Sequence, residues 1–466
     1  MYYGDAQAHL SISRSLIDSR TPGYEQLGTV WLPVLHVICL PFVGNDFLWS
    51  TGLAGTIPVA FCFVWAGLFF YLAARDVYRS SLAAMVVVGC FTLNPNILYL
   101  ASIPMTEVVF LAGLSTLLFA LFRFRETQNS YLIALGVCAS WWMSLTRYDG
   151  WFLIPFASLG FAVFARRYRW LMFIGFGALA ALAPAYWLAH NWWETSNPLD
   201  FYNGPYSAAA IQKAAWYPGY HDWILAIRYY SNAGYLCTGA CLVLLGLAGA
   251  VCAAKKRVLA PILFLLLTPL FYVWSMHSSR TPIHVPGLWP HSYYNTRYGI
   301  AVVAVAAFAT GALALILQPR WGKFVFLIPV LSAAPWLLHP SKADWICWKE
   351  SEVNSVSRRA WTNGGALFLA KHYRGGAGIV ASSGDVTGIF CRSRIPLRET
   401  LNIGNGPAWF ATTSRPDLVH RELWVVAQSG DALSIAMDGK GSPYGVVEEI
   451  QVKDAPALKI YRRQVK

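Results

Sequence analysis

The chain has 466 residues, of which 56% are hydrophobic and only 13% charged, and it contains 21 Trp. Soluble domains carry about 25% charged residues, so a single water-soluble enzyme is excluded; intrinsic disorder, which goes with low hydrophobicity, is excluded too. The formal net charge of +13 resembles a nucleic-acid signal until its position along the chain is known.

Residues 1–46 contain no signal peptide or membrane helix. Within them, 9–19 has one polar and one apolar face, and 29–42 is apolar but too short to cross a bilayer. Both read as helices lying along the membrane interface. Apolar runs then recur at 51–74, 81–100, 105–122, 131–145, 151–165, 170–190, 233–254, 259–276, 297–317 and 324–338. Runs of this kind cross ~30 Å of hydrocarbon as helices, so a polytopic α-helical membrane protein with about ten transmembrane helices is expected.

Basic residues fall in every second gap: Arg75 and Arg79; Arg123 and Arg125; Arg166, Arg167 and Arg169; Lys255, Lys256 and Arg257; Arg320 and Lys323. These twelve cations face two acids, Asp76 and Glu126, whereas the opposite side of the membrane part holds seven cations, Lys213 among them, against nine acids. The positive-inside rule places the first set in the cytoplasm and everything else outside. The charge excess therefore describes an orientation, and a nucleic-acid partner is not expected. It also leaves the N-terminus outside, which requires either that it is translocated unaided or that a first helix precedes Met1, and the second is expected.

From residue 340 the composition becomes that of a soluble protein. Strands are expected at 377–382, 422–428, 444–452 and 458–461 and a helix at 357–373, a small extracytoplasmic α/β domain. The domain reading is thus 1–50 for a first outer loop, 51–339 for the membrane domain and 340–466 for the soluble domain. An oxidising compartment would permit Cys347 and Cys391, the two cysteines of that domain, to pair.

The long connections, 1–50, 191–232 and 277–296, are all on the outer side, where binding and catalysis are usually placed. Asp5 could act there as a general base, or be a solvated carboxylate near a terminus. Arg147 and Asp149, in LTRYDGW, end one span and begin the next; a boundary Arg is a functional candidate or a snorkelling anchor paired with its neighbouring acid. Glu107, in ASIPMTEVVF, lies just inside a span, where an acid also complements the helix dipole. Arg297, in SYYNTRYGI, could hold a phosphate through its forked donors or serve as an interfacial anchor. His277, His284 and His291 share one outer loop at spacings that match no tight metal motif. Acids and arginines converging at one boundary from separated parts of the chain suit a reaction between a lipid-borne phosphate and a water-borne hydroxyl.

The segment MYYGDAQAHLSISRSLIDSRTPG, followed by QLGTVWLPVLH, resembles the first outer loop of the C-type membrane glycosyltransferases. SIPMTEVVFLAGL, LTRYDGWFLIP and YYNTRYGIAVV resemble later elements of the glycosyltransferase family 39 group, which includes protein mannosyltransferases and aminoarabinose-transferase-like enzymes. The resemblance covers roughly residues 1–320. It implies transfer of a sugar from a polyprenyl-phosphate donor, with inversion at the anomeric carbon; the acceptor expected is a glycan, lipid or protein, and the location expected is a bacterial plasma membrane. Asp5 matches the catalytic acid of the first loop; Arg147 and Arg297 match more loosely as donor-phosphate ligands, and Glu107 and Asp149 match acidic positions of less defined role. No cofactor is demanded. A divalent metal ion is the one candidate, and a single Asp where the family has an adjacent acidic pair argues against a site for it. The rival readings are an inactive relative acting as a membrane assembly or binding protein, a transporter, and a related enzyme using a lipid-diphosphate donor.

Overall fold

The computed structural model describes residues 2–212, 216–382, 384–418 and 421–464. Lys213 lies outside the described residues, and so do the side chains of Arg320 and Lys323. The chain forms two compact units, one of residues 29–34 and 59–350 and one of 1–28, 35–58 and 351–466.

The first unit is a helical bundle. Among the described residues five helices are long and apolar enough to cross a membrane: Leu53–Tyr78, Thr106–Thr127, Arg169–Thr195, Ala260–Ser278 and Thr296–Leu317. Two helix pairs pass the same test only when taken together and are sharply bent, Ser81–Thr92 with Pro95–Ala101 at 69° and Trp223–Thr238 with Ala240–Lys255 at 105°, each a broken span or a re-entrant loop. Ser130–Ser144, Asp149–Phe164 and Leu327–Leu338 are apolar helices of 15, 16 and 12 residues, shorter than the ~20 residues that span hydrocarbon untilted. All ten expected segments are thus largely helical; 81–100 and 233–254 are each bent sharply where hydropathy registers nothing, and 259–276 is broken more gently at Leu266.

Each sharp bend has a local cause. Asn94 precedes Pro95, and its side chain accepts from the backbone N–H groups of Asn96 and Ile97, so it starts a new helix where the apolar run continues. Gly239 adopts φ +78° with the Trp336 ring packed against it; the expected span at 233–254 is therefore two helices, the first beginning at Trp223. Farther on, Gly246 and Gly249 bring the 240–255 helix against the Ile300–Trp321 helix so closely that a Cβ on Gly249 would lie 2.2 Å from the Ala309 carbonyl oxygen. Small residues at such a crossing let helix backbones approach, the usual source of packing energy in lipid.

The second unit contains the N-terminal helix Gly4–Ser15 and a five-stranded sheet. The strands are β1 (Ile379–Ala381), β2 (Thr400–Leu401), β3 (Trp424–Gln428), β4 (Tyr444–Val452) and β5 (Ala455–Arg463), in the order β2-β1-β3-β5-β4. β1 is parallel to both β2 and β3, while β5 runs antiparallel to β3 and β4. β1 is buried throughout and β3 almost so, as central strands covered on both faces require. β4 alternates in exposure, as an edge strand with one wet face does. The expected strands and helix appear with shifted ends, the helix at Val356–His372, and the two-residue β2 is additional.

The two helices expected along the interface are Gly4–Ser15 and Val34–Val43; 29–33 is not helical. Arg14, only 5% exposed, fastens the first loop to itself: it donates to Asp18 and Asp46 at 2.7 Å each and to the Val43 carbonyl, and its guanidinium lies 4.9 Å from the Trp49 ring centre. Asp18 also accepts from Arg398 at 3.0 Å, and Arg20 pairs with Glu422. The first loop and the sheet domain, read from sequence as separate regions, are thus joined in one unit by charge-assisted hydrogen bonds. Cys391 donates its thiol to the Trp49 carbonyl, whereas Cys347 belongs to the helical unit with its sulfur 4.0 Å from that of Cys237. Both are free thiols in this structure.

Candidate functional site

Four of the five candidate residues come together at one end of the helical unit, each at a helix terminus. Glu107 is in the first turn of Thr106–Thr127, and Arg147 follows the end of Ser130–Ser144. Asp149 opens Asp149–Phe164, and Arg297 lies in a 3-10 turn, Thr296–Gly299, that leads into the 300–321 helix. Such ends are where hydrocarbon gives way to polar surroundings, so a charge can be held there with fewer residues around it to neutralise it.

Glu107 Oε1 is the hub. It accepts from Arg147 Nη1 at 3.2 Å and from Arg297 Nε at 3.1 Å. Each guanidinium is then held from another side by its own acid. Arg147 Nε lies 3.4 Å from Asp149 Oδ1, an ion pair without hydrogen-bond geometry. Arg297 donates from Nη1 to Glu350 Oε1 at 3.1 Å and from its backbone N–H to Glu350 Oε2 at 3.2 Å. Arg147 also donates to the Thr106 hydroxyl at 2.7 Å.

Tyr272 closes the network with a defined polarity. Its hydroxyl accepts from Arg147 Nη2 at 2.9 Å and donates to Asp149 Oδ2 at 2.9 Å. Its ring stacks on Tyr298 at 5.0 Å, and Tyr298 lies 4.9 Å from the Arg147 guanidinium and 5.2 Å from that of Arg297. Three carboxylates and Arg297 are therefore buried in one cluster, with Arg147 mostly so. Taking such charges out of water costs several kcal/mol per ion, which only dense pairing of this kind offsets. At Glu350, outside the long apolar helices, burial pushes the carboxyl above its usual range while Arg297 opposes the shift.

A cavity of about 20 Å³, room for about one water, opens between the guanidiniums. It is lined by Glu107, Arg147, Arg297, Tyr272, Tyr298 and Thr268 among others; Asp149 and Glu350 are not part of its wall. Three polar atoms of its lining residues are buried without a hydrogen-bond partner among the described residues: Glu107 Oε2, Thr268 Oγ1 and Arg147 Nε, the last facing Asp149 as an ion pair.

Sequence reasoning missed Tyr272, Tyr298, Thr268 and Glu350. Tyr272 and Thr268 sit inside an apolar run, and Glu350 lies past the point where the composition turns soluble. Asp5 stands in the first turn of Gly4–Ser15 in the other unit, partly buried. The three loop histidines do not form a shared centre: His277 stacks on Trp223 at 3.9 Å, His284 contacts Ser292, and His291 contacts the Pro286 carbonyl. Among the described residues no group of three or more His, Cys, Asp or Glu is placed to hold a metal ion.

No protein-family model matches this sequence, and no curated protein does. Solved structures do match. ArnT from Cupriavidus metallidurans bound to undecaprenyl phosphate superposes with a TM-score of 0.60 over 98% of this chain and 93% of that one, at 13% identity. The same protein in the apo state gives a TM-score of 0.59 over the same shares, at 11% identity. The agreement covers nearly the whole chain, so the fold is ArnT-like, mostly helical with a small C-terminal sheet domain, and with its long apolar helices the chain is an integral membrane protein.

Proposed function

We propose that this protein is a glycosyltransferase that moves a sugar from a polyprenyl-phosphate donor to an acceptor hydroxyl at the extracytoplasmic face of a bacterial inner membrane. The observation that carries the reading is the pair of guanidiniums, Arg297 buried and Arg147 mostly so, converging on one carboxylate oxygen. They do so in a fold shared with a protein whose structure holds undecaprenyl phosphate. Forked guanidinium donors match phosphate oxygens, and Arg is favoured where that geometry matters.

Asp5 takes the proton of the acceptor hydroxyl as its oxygen attacks the anomeric carbon from the face opposite the phosphate, and the configuration inverts. The bond from that carbon to the phosphate oxygen breaks, and the polyprenyl phosphate leaves already ionised, so no general acid is needed. Arg147 and Arg297 stabilise the negative charge that grows on the phosphate, an electrostatic role typically worth several kcal/mol of barrier. Asp149, Tyr272 and Glu350 hold the two arginines in place. The acceptor is a hydroxyl of a glycan, a lipid or a protein.

The test is reconstitution of the full chain with polyprenyl-phosphate sugars and measurement of lipid-phosphate release. Wild type is expected to turn over and Asp5→Asn to lose at least about a hundredfold, the low end of general-base contributions. Equal turnover by both removes Asp5 from the reaction, and no turnover with any donor favours the transporter or assembly-protein reading.

A further inference from the structure

Glu107 differs from the other two carboxylates of the cluster. Asp149 and Glu350 each serve one guanidinium, whereas Glu107 alone lies between both and lines the cavity. Its Oε1 is doubly bound, yet its Oε2 is buried and receives no hydrogen bond among the described residues. Asp149 Oδ1 is likewise buried without a hydrogen bond, but Asp149 stands outside the cavity wall, so Glu107 is the carboxylate that combines an unsatisfied oxygen with a place in that wall. The arginines do not depend on it alone: Arg147 keeps Thr106, Tyr272 and Asp149, and Arg297 keeps Glu350.

The cavity as it stands has room for about one water, and a phosphate seated against both Arg147 Nη1 and Arg297 Nε would take the place that Glu107 Oε1 holds. We propose that Glu107 is a placeholder in the anion site: its Oε1 marks where a non-bridging oxygen of a phosphate monoester docks, and the phosphate of a polyprenyl lipid binds by displacing Glu107 from between Arg147 and Arg297. The inference rests on the lipid-phosphate reading above and adds how that site is kept when empty. Two guanidiniums largely buried with no anion between them would repel each other at high cost. Glu107 neutralises them until the phosphate arrives.

This arrangement predicts opposite signs for two measurements on Glu107→Gln. The empty protein loses stability, because a neutral amide replaces a charge between two cations. Its affinity for lipid phosphate rises, because no carboxylate has to be expelled. Binding of undecaprenyl phosphate to the purified full chain in detergent is expected to tighten at least tenfold in Glu107→Gln, about 1.4 kcal/mol. Undecaprenol, with the same chain and no phosphate, should show no gain. Unchanged or weaker binding of undecaprenyl phosphate by Glu107→Gln, or an equal gain for undecaprenol, overturns the proposal. Inorganic phosphate should compete only weakly; competition at equal affinity would assign the site to a free anion and overturn the lipid assignment. Failure of wild type and variant alike to bind undecaprenyl phosphate overturns the underlying lipid-phosphate reading instead.

A second measurement does not depend on the variant folding. In an experimental structure of the wild type with undecaprenyl phosphate, the phosphate should lie within hydrogen-bond distance of Arg147 Nη1 and Arg297 Nε, with the Glu107 carboxylate moved away from both. Glu107 remaining between them with the phosphate bound elsewhere would refute the displacement.

Discussion

Removing a single oxygen atom at Tyr272 tests whether the charge cluster is held together as described. Tyr272→Phe keeps the ring, and with it the stacking on Tyr298 and on Tyr230 at 5.7 Å. It deletes the hydrogen bond from Arg147 Nη2 and the one to Asp149 Oδ2, both 2.9 Å long and both involving a charged partner. Hydrogen bonds to charged groups contribute about 1.5–3 kcal/mol each, and leaving a buried partner unsatisfied costs the same or more. Arg147 retains other acceptors, so full additivity is not expected, and a loss of about 3 kcal/mol follows. The assay is thermal unfolding of the full chain in detergent, followed by tryptophan fluorescence. At roughly 2–4 °C per kcal/mol for a large domain, the midpoint should fall by about 6 °C or more. Tyr131→Phe, at a ring 81% exposed, serves as the control and should change stability by less than about 0.5 kcal/mol. A Tyr272→Phe midpoint indistinguishable from the control would show that the hydroxyl does not tie Arg147 to Asp149.

Other perturbations separate the remaining parts of the structure. Glu350→Ala strips Arg297 of the acceptor for Nη1 and for its backbone N–H; a loss near 3 kcal/mol is expected in the same unfolding assay, against less than about 1 kcal/mol for Asp385→Asn, whose ion pair with Arg358 is half exposed. Gly249→Ala forces the 240–255 and 300–321 helices apart and should cost about 1–3 kcal/mol, whereas Gly175→Ala, with nothing within 4 Å of the added carbon, should not destabilise the protein. His36 is fully buried with its Nε2 2.9 Å from His9 Nδ1, and burial first, then His9, holds it well below the usual imidazole range. Above pH ~6.5 folded and unfolded His36 are both neutral; below it only the unfolded chain binds the proton, so stability falls by up to about 1.4 kcal/mol per pH unit until the folded group titrates. An equal acid slope in His36→Gln, read by unfolding midpoints between pH 7 and 5, would assign the effect elsewhere.

The sequence located helices well because burial in lipid is written residue by residue: the run at 105–122 becomes Thr106–Thr127, and 170–190 becomes Arg169–Thr195. Direction is not written that way. The apolar run at 233–254 passes through Gly239 without a change in hydropathy, yet the chain turns 105° there because a Gly takes a left-handed φ beside Trp336. Membrane helices tolerate Gly in their interior, so the residue alone gives no warning. Asn94–Pro95 did offer a local signal, since that dipeptide favours turns, but the surrounding apolar residues masked it.

The site shows the same division between what is local and what is not. Arg147 and Asp149 are two residues apart, and their pairing could be anticipated from LTRYDGW alone. That Arg147 also meets Glu107, 40 positions away, and Tyr272, 125 positions away, depends on which helix ends the bundle gathers. Glu350 makes the point most sharply. Composition changes from membrane-like to soluble at about residue 340, whereas the compact helical unit runs on to residue 350. The ten residues between those limits end on the acid that neutralises Arg297. Hydropathy records where the chain leaves lipid, but a guanidinium buried at the end of a span still needs a counter-charge, and the nearest supply is the chain just outside the membrane. A boundary drawn from composition therefore cuts through the charge cluster, and chain severed at 340 would lose the Glu350 carboxylate that Arg297 holds through its side chain and its backbone N–H.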